Sequence, residues 1–245
     1  MLTSLLLACS SCPPGGHCLE GGGYNVDLPQ GSGPYKTLLW FHGHNEDAEH
    51  LRGKPAELQA LLDGGWLVLA PQGRDDRWRV QDLRDGGEDL DYAELVLADA
   101  ERRYGLSTVV ASGHSVGASV AYELGCQRDS VDAVAGFHGL FWDPVPSSCQ
   151  GSPKPIRHVH GSSDDTWPIE GRSFLGMAQG DIHQGVQTWR DVNGCTEESS
   201  SQAQGPLLCT TWTCASAPVT YCEHDGEHRL RGGFGQRYVD WAEGL

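Results

Sequence analysis

Positive charge is scarce in this chain. Against 33 Asp and Glu, the 245 residues offer only 17 Lys and Arg, a formal charge of -16. That balance repels phosphate backbones and anionic head groups, so nucleic acid is not an expected partner. The acidic surface is read as solvated and as favouring solubility. After the opening residues, no stretch reaches the roughly 18 consecutive apolar residues that a membrane-spanning helix needs. Internal repeats, long low-complexity tracts and paired CxxC knuckles are also missing, which sets aside solenoids and zinc ribbons. Hydrophobic residues at 38% and charged residues of both signs at 20% describe a chain that folds.

Cysteine is plentiful by contrast. Nine are present, more than a reducing compartment commonly holds without metal, and disulfides in an oxidising compartment fit better. The opening "MLTSLLLACSSCPPGG" ends its apolar run in "LLAC", similar to a bacterial lipoprotein processing site that leaves Cys9 as the lipidated first residue. A secreted or cell-envelope lipoprotein is therefore expected, although the first basic residue is Lys36 and none precedes the apolar run. Residues 1–34 are read as this leader plus a Gly-, Pro- and Cys-rich segment, of which 12–34 wraps the domain edge. The ordered chain is expected to begin near Tyr35, with residues 35–245 as one domain.

From Tyr35 onward, buried-strand patterns ("KTLLWFHG", "WLVLAPQG", "STVVASG", "VDAVAGF", "IRHVHG") alternate with helical ones ("PAELQALLDGG", "DLDYAELVLADAERRYG", "VGASVAYELG"). Continuous apolar strands between helices predict an α/β fold with a mostly parallel sheet covered on both faces. "LLCTTWTC" and "PVTYCEHDG" are candidate strands near the sheet edge. "GFGQRYVDWAEGL" has helical spacing and should pack Tyr238 and Trp241 back on the sheet.

The chemistry centres on "GHSVG", a G-x-S-x-G match in which Gly113 and Gly117 let a tight turn hold Ser115 out of the surface. Composition alone yields roughly 0.3 chance matches, so the context decides: here the motif joins a strand to a helix, as a nucleophile elbow requires. The turn places the Val116 amide at a helix N-terminus, where an N–H can stabilise a developing oxyanion. A serine hydroxyl also needs a base and an acid that orients the base. Downstream, "IRHVHGSSDDTWP" supplies Asp164 and Asp165, and "YCEHDGEHRL" supplies His224 and His228. In "LLWFHGHNED", Gly43 permits a turn presenting the His44 amide, while the His42 ring braces the loop. His42, His44 and His50 stand beside carboxylates, but no H-E-x-x-H spacing accompanies them, and neither metal nor cofactor is expected. His138, His158 and His160 are read as packed or hydrogen-bonded near strand ends.

From about residue 35 to the end, the chain resembles the secreted polyhydroxybutyrate depolymerase and feruloyl esterase group of the α/β-hydrolases. The resemblance rests on "LLWFHGHNEDAEH", "GWLVLAPQG", "GHSVGAS", "HVHGSSDDTWPIEG", "TWRDVNGC" and "DGEHRL". It implies Ser115 as nucleophile, Asp164 as acid, His228 as base, and His44 and Val116 as oxyanion-hole donors. "GEHRLRGG" departs from the group's usual ending and leaves His224 as the alternative base, with Asp165 as the alternative acid. Trp142 and Trp167 line the acyl pocket or a polymer-facing rim, or else pack under loops. The implied reaction is hydrolysis of a small or oligomeric carboxylic ester through an acyl-enzyme, by a monomer. A binder on a disabled scaffold and a peptidase are the competing readings. The resemblance pairs Cys195 with Cys214 or Cys209. Cys126 with Cys149, and Cys12 with Cys18, are further candidates.

Overall fold

The computed structural model describes residues 12–19, 22–81, 83, 87–174 and 176–245. Cys9 lies outside these described residues. The elements in chain order are β1 (His17–Leu19), β2 (Gly22–Asp27), β3 (Tyr35–Phe41), α1 (Pro55–Asp63), β4 (Trp66–Pro71), α2 (Glu88–Tyr104), β5 (Leu106–His114), α3 (Val116–Gln127), β6 (Ala133–Phe137), β7 (Ile156–Gly161), β8 (Ser173–Phe174), β9 (Met177–Ala178), α4 (Ile182–Asn193), β10 (Cys195–Gln204), β11 (Leu207–Cys214), β12 (Val219–His224) and α5 (Phe234–Ala242). Ten strands form one sheet in the order β1-β2-β4-β3-β5-β6-β7-β12-β11-β10. Its centre, from β4 to β12, is parallel; the outer strands pair antiparallel.

The central strands are apolar on both sides because both sides are covered, and residue parity divides them between two cores. Leu38 and Trp40 of β3, Trp66 and Val68 of β4, and Val110 of β5 pack with Leu61 of α1 and with Phe234, Tyr238 and Val239 of α5. Leu39 and Phe41, Leu67 and Leu69, and Val109 and Ala111 face the other way, toward α2, α3 and α4. Tyr238 is buried as expected, edge-on to Trp66, and Trp241 packs against it half-buried.

Order begins earlier than the Gly-rich sequence suggested. β2 pairs antiparallel with β4, and its Tyr24, fully buried, donates its hydroxyl to Asp99 at 2.6 Å. Two further elements carried no strong sequence signal. α4 buries Ile182, Val186 and Trp189 along one face, starts on an Asp181 side chain that accepts the Gln184 N–H, and ends at Gly194 with φ 66°. β10, "CTEESSSQAQ", is exposed along most of its length, and a polar strand of this kind suits a sheet edge.

Four disulfides form: Cys12–Cys18, Cys126–Cys149, Cys195–Cys214 and Cys209–Cys222. The last two staple β10 to β11 and β11 to β12, which brace the strand leading to His228. Closures of this length typically contribute about 2–4 kcal/mol each.

Candidate active site

Ser115, Asp164, His224 and His228 lie at or just beyond the carboxyl ends of parallel strands, where open α/β sheets place their ligand crevice. Ser115 lies between β5 and α3 with φ 56° and ψ -124°. Positive φ is costly for a residue with a Cβ, about 1–3 kcal/mol, and such strain concentrates at functional sites. The surroundings enforce it. A Cβ on Gly117 would run into the carbonyl oxygens of Phe41 and His42, so only glycine lets α3 press against the end of β3. The Ser115 amide donates to Phe137 O at 2.8 Å, which ties the turn to β6. Val116 opens α3, whose N-terminus has no side-chain cap.

Asp164, in the loop after β7, is buried, whereas Asp165 is exposed. Its Oδ1 accepts the amides of Thr166 at 3.0 Å and Trp167 at 2.8 Å. Its Oδ2 meets Nδ1 of His228 at 2.7 Å and Nδ1 of His138 at 3.0 Å. Burial alone would raise its pKa, but the hydrogen bonds from His138, His228 and the Trp167 amide outweigh it and hold the carboxylate well below its usual range. The His228 ring lies 5.0 Å from that of His114, the residue preceding Ser115. Sequence elements more than a hundred residues apart thus meet in one cluster.

His224 takes a different place, and its hydrogen bonds say which. Nδ1 of His224 accepts the Gly226 amide at 3.0 Å and Nε of Arg231 at 3.1 Å, so this nitrogen carries no proton. The proton of neutral His224 is therefore on Nε2, which faces Nε2 of His138 at 3.3 Å and donates to it. That leaves the His138 proton on Nδ1, aimed at Asp164. Arg231, His224 and His138 form a relay whose end is a second imidazole N–H on the Asp164 carboxylate. Sequence reading did not find this relay or Arg231; His138 was read correctly as hydrogen-bonded at a strand end. His160 completes the group, with Nε2 2.8 Å from the Trp167 carbonyl and Nδ1 facing His158 Nε2 at 3.1 Å.

The loop after β3 carries His44. As expected, the His42 ring braces this loop: its Nε2 accepts the Gly73 amide at 3.0 Å and its Nδ1 donates to Gly43 O at 2.8 Å. Glu46, which the sequence reading passed over, accepts the Gly43 amide at 2.7 Å. His44 is half-buried, edge-on to Phe174 with ring centroids 5.8 Å apart. Trp167 is fully buried, packs edge-on against Trp142 at 5.1 Å and donates from Nε1 to Gly180 O at 3.3 Å, which gives it a packing role under the acid loop. Trp142, 6% exposed, lies 6.2 Å from Phe174, whose ring is the half-buried aromatic nearer the surface.

No protein-family model matches the chain. Among solved structures it is similar to an acetyl xylan esterase from Aspergillus awamori (TM-score 0.65, 14% identical, covering 89% of this chain and 94% of that one). It is also similar to the Bacillus cereus carboxylesterase (TM-score 0.62, 16% identical, covering 90% and 93%). The chain has the α/β-hydrolase fold. In sequence, the chain is 24% identical over 196 residues to a bifunctional acetylxylan esterase/xylanase of Neocallimastix patriciarum, a match that takes in 76% of the chain. The chain spans about a quarter of that relative's length, 27%.

Proposed function

We propose that this α/β-hydrolase is a serine esterase that cleaves small carboxylic esters, with acetyl groups on polysaccharide as the favoured class. The observations that support the reading are a strained Ser115 elbow at the carboxyl end of β5 and an Asp164–His228 pair whose imidazole lies 5.0 Å from the ring of His114, the residue before that serine. In this mechanism His228 Nε2 takes the Ser115 proton as Oγ attacks the ester carbonyl. Asp164 holds the ring through Nδ1–H and stabilises the imidazolium that forms. The Val116 and His44 amides receive the oxyanion. The tetrahedral adduct collapses, and the alcohol leaves with the proton from His228. Water, deprotonated by the same ring, then releases the carboxylic acid and restores Ser115.

Two relatives named for acetyl xylan esterase activity favour the acetyl class. The feruloyl and hydroxyalkanoate esters suggested by the sequence resemblance remain the second class, and Phe174 beside His44 and Trp142 is the apolar surface an acyl group would meet. Four disulfides are consistent with an oxidising, extracytoplasmic setting. Lipidation at Cys9 belongs to the same proposal.

The test compares p-nitrophenyl acetate, p-nitrophenyl butyrate, methyl ferulate, hydroxybutyrate oligomers and a peptide anilide. His228→Ala is expected to lower kcat/KM by about 10³-fold or more. His224→Ala acts only through His138, so its loss should be about tenfold, comparable with the loss of a group that orients a functional side chain. Equal losses in the two variants would refute the assignment of His228. An unaltered protein that turns over none of the esters would favour a binding role.

A further inference from the structure

Beside the proposed triad lies a second cluster that the esterase reading does not use. Glu46, His50 and His114 each offer one donor atom, and these atoms lie within 4.8 Å of one another. His50 Nδ1 is 3.0 Å from Glu46 Oε2, and His114 Nδ1 is 3.7 Å from Glu46 Oε1. Both histidine side chains are nine-tenths buried, at 8% and 10% exposure. Yet apart from the Glu46 carboxylate, His50 Nδ1 and both ring nitrogens of His114 have no hydrogen-bond partner among the described residues. Buried polar atoms left this way are costly and call for a bound water or ion.

We infer that Glu46, His50 and His114 form a binding site for a divalent first-row cation of the zinc type, three protein ligands with an open fourth position. Two imidazoles and one carboxylate are a donor set that zinc takes, at about 2.0–2.2 Å per bond, so tetrahedral donors stand roughly 3.3 Å apart. The 3.0 and 3.7 Å distances to the two Glu46 oxygens, with all three donors within 4.8 Å of one another, are close to that spacing. The scaffold is also built for it. Glu46 and His50 sit four residues apart in the loop after β3, and Gly43 closes over both the Glu46 carboxylate and His114: a Cβ there would stand 2.8 Å from Glu46 Oε2 and 3.4 Å from His114 Nδ1.

The molecule contains an instructive contrast. His138, His160 and Asp164 are grouped as closely, but their nitrogens are already engaged with Asp164, His158, His224 and the Trp167 carbonyl. A cation there would have to displace a hydrogen bond from each imidazole, whereas at Glu46 it would take one nitrogen from each of His50 and His114 without breaking such a network. In sequence, "HGHNEDAEH" gathers His42, His44 and His50 beside carboxylates without H-E-x-x-H spacing, and His42 and His44 belong to the strand-ending loop. The structure replaces them with His114, which the sequence places sixty-four residues beyond His50.

The site is tested on the purified, chelator-treated full chain by calorimetric titration with Zn2+ and by visible absorption with Co2+. One ion per chain is expected, with the intense Co2+ bands of a four- or five-coordinate site. His50→Asn, and separately Glu46→Gln, should weaken binding by at least about tenfold, whereas His183→Ala on the exposed side of α4 should not change it. Melting of each variant without metal confirms that it is folded. Binding that is absent, only millimolar, or indifferent to both His50→Asn and Glu46→Gln overturns the inference. Because the readout is binding, it is independent of whether the chain hydrolyses esters.

Discussion

Ser115→Ala is expected to lower kcat/KM for p-nitrophenyl acetate by about 10⁴-fold or more while leaving the melting temperature nearly unchanged. The argument separates two properties of one residue. Its Oγ is the proposed nucleophile, and its backbone is held at φ 56° by the packing of Gly117 on β3 and by the Ser115 amide on Phe137. Alanine removes the oxygen and keeps the Cβ, so the strain stays. Ser115→Gly removes both, and relief of a positive-φ conformation should make it more stable than Ser115→Ala by about 1 kcal/mol, although equally inactive. Urea unfolding of the two variants beside the esterase assay gives both readings. Residual activity in Ser115→Ala within tenfold of the unaltered protein would remove the nucleophile assignment, and a Gly variant less stable than the Ala variant would remove the strain argument.

The second large effect is in stability against acid. Burial lowers the pKa of His42, His158, His160 and His224, and takes His138 down to about 3. In the unfolded chain these five rings titrate at the ordinary value of 6.5. Below that pH the unfolded state therefore binds protons that the folded state refuses, and stability is full above pH 6.5 and lost as the pH falls. Each ring that stays neutral costs about 1.4 kcal/mol at one pH unit below its unfolded pKa, so His138 and His158 together cost about 3 kcal/mol at pH 5.5 and the other three rings add to it. That is a substantial part of the roughly 5–15 kcal/mol margin of an ordinary domain. The carboxylates add to it at lower pH: the depressed pKa of Asp164, and that of Glu46 at about 2, mean that stability is lost again as the pH falls below about 4. Asp27 and Asp89, whose pKa values burial raises, act oppositely but only near their own titration. Melting in the presence of chelator should fall by about 10–20 °C between pH 8 and pH 5.5. A melting temperature constant over that interval would show that the histidines protonate in place.

What the sequence made visible follows from how far each signal travels. β3, β4, β5 and β6 are legible because central strands covered on both faces are largely apolar, and no partner need be known to see that; β12, expected near the sheet edge, instead pairs parallel with β7 inside it. β10 and β2 are not legible. The first is Ser- and Glu-rich and owes its place to pairing with β11 and to the Cys195–Cys214 bridge; the second begins in a Gly run and is ordered by Tyr24 reaching Asp99 across the fold. Ser115 was legible because a strand, a turn and a helix surround it within twenty residues. Asp164 and His228 each had a chemically identical rival close by, and spacing cannot tell which of two neighbours points inward. Contacts separate them: Asp164 is buried on His228 while Asp165 is exposed, and His224 spends its Nδ1 on Gly226 and Arg231. The Glu46–His50–His114 cluster joins residues from two strand ends, and only the parallel pairing of β3 with β5 brings those ends together.

The most direct measurement is covalent. The unaltered protein is treated with an organophosphonate that traps activated serines, digested, and mapped by mass spectrometry, with His228→Ala treated in parallel. Modification of Ser115 alone, in step with loss of ester turnover and much slowed in His228→Ala, is the predicted result. Inactivation with the adduct on any other residue, or ester turnover that survives complete modification of Ser115, would contradict the account.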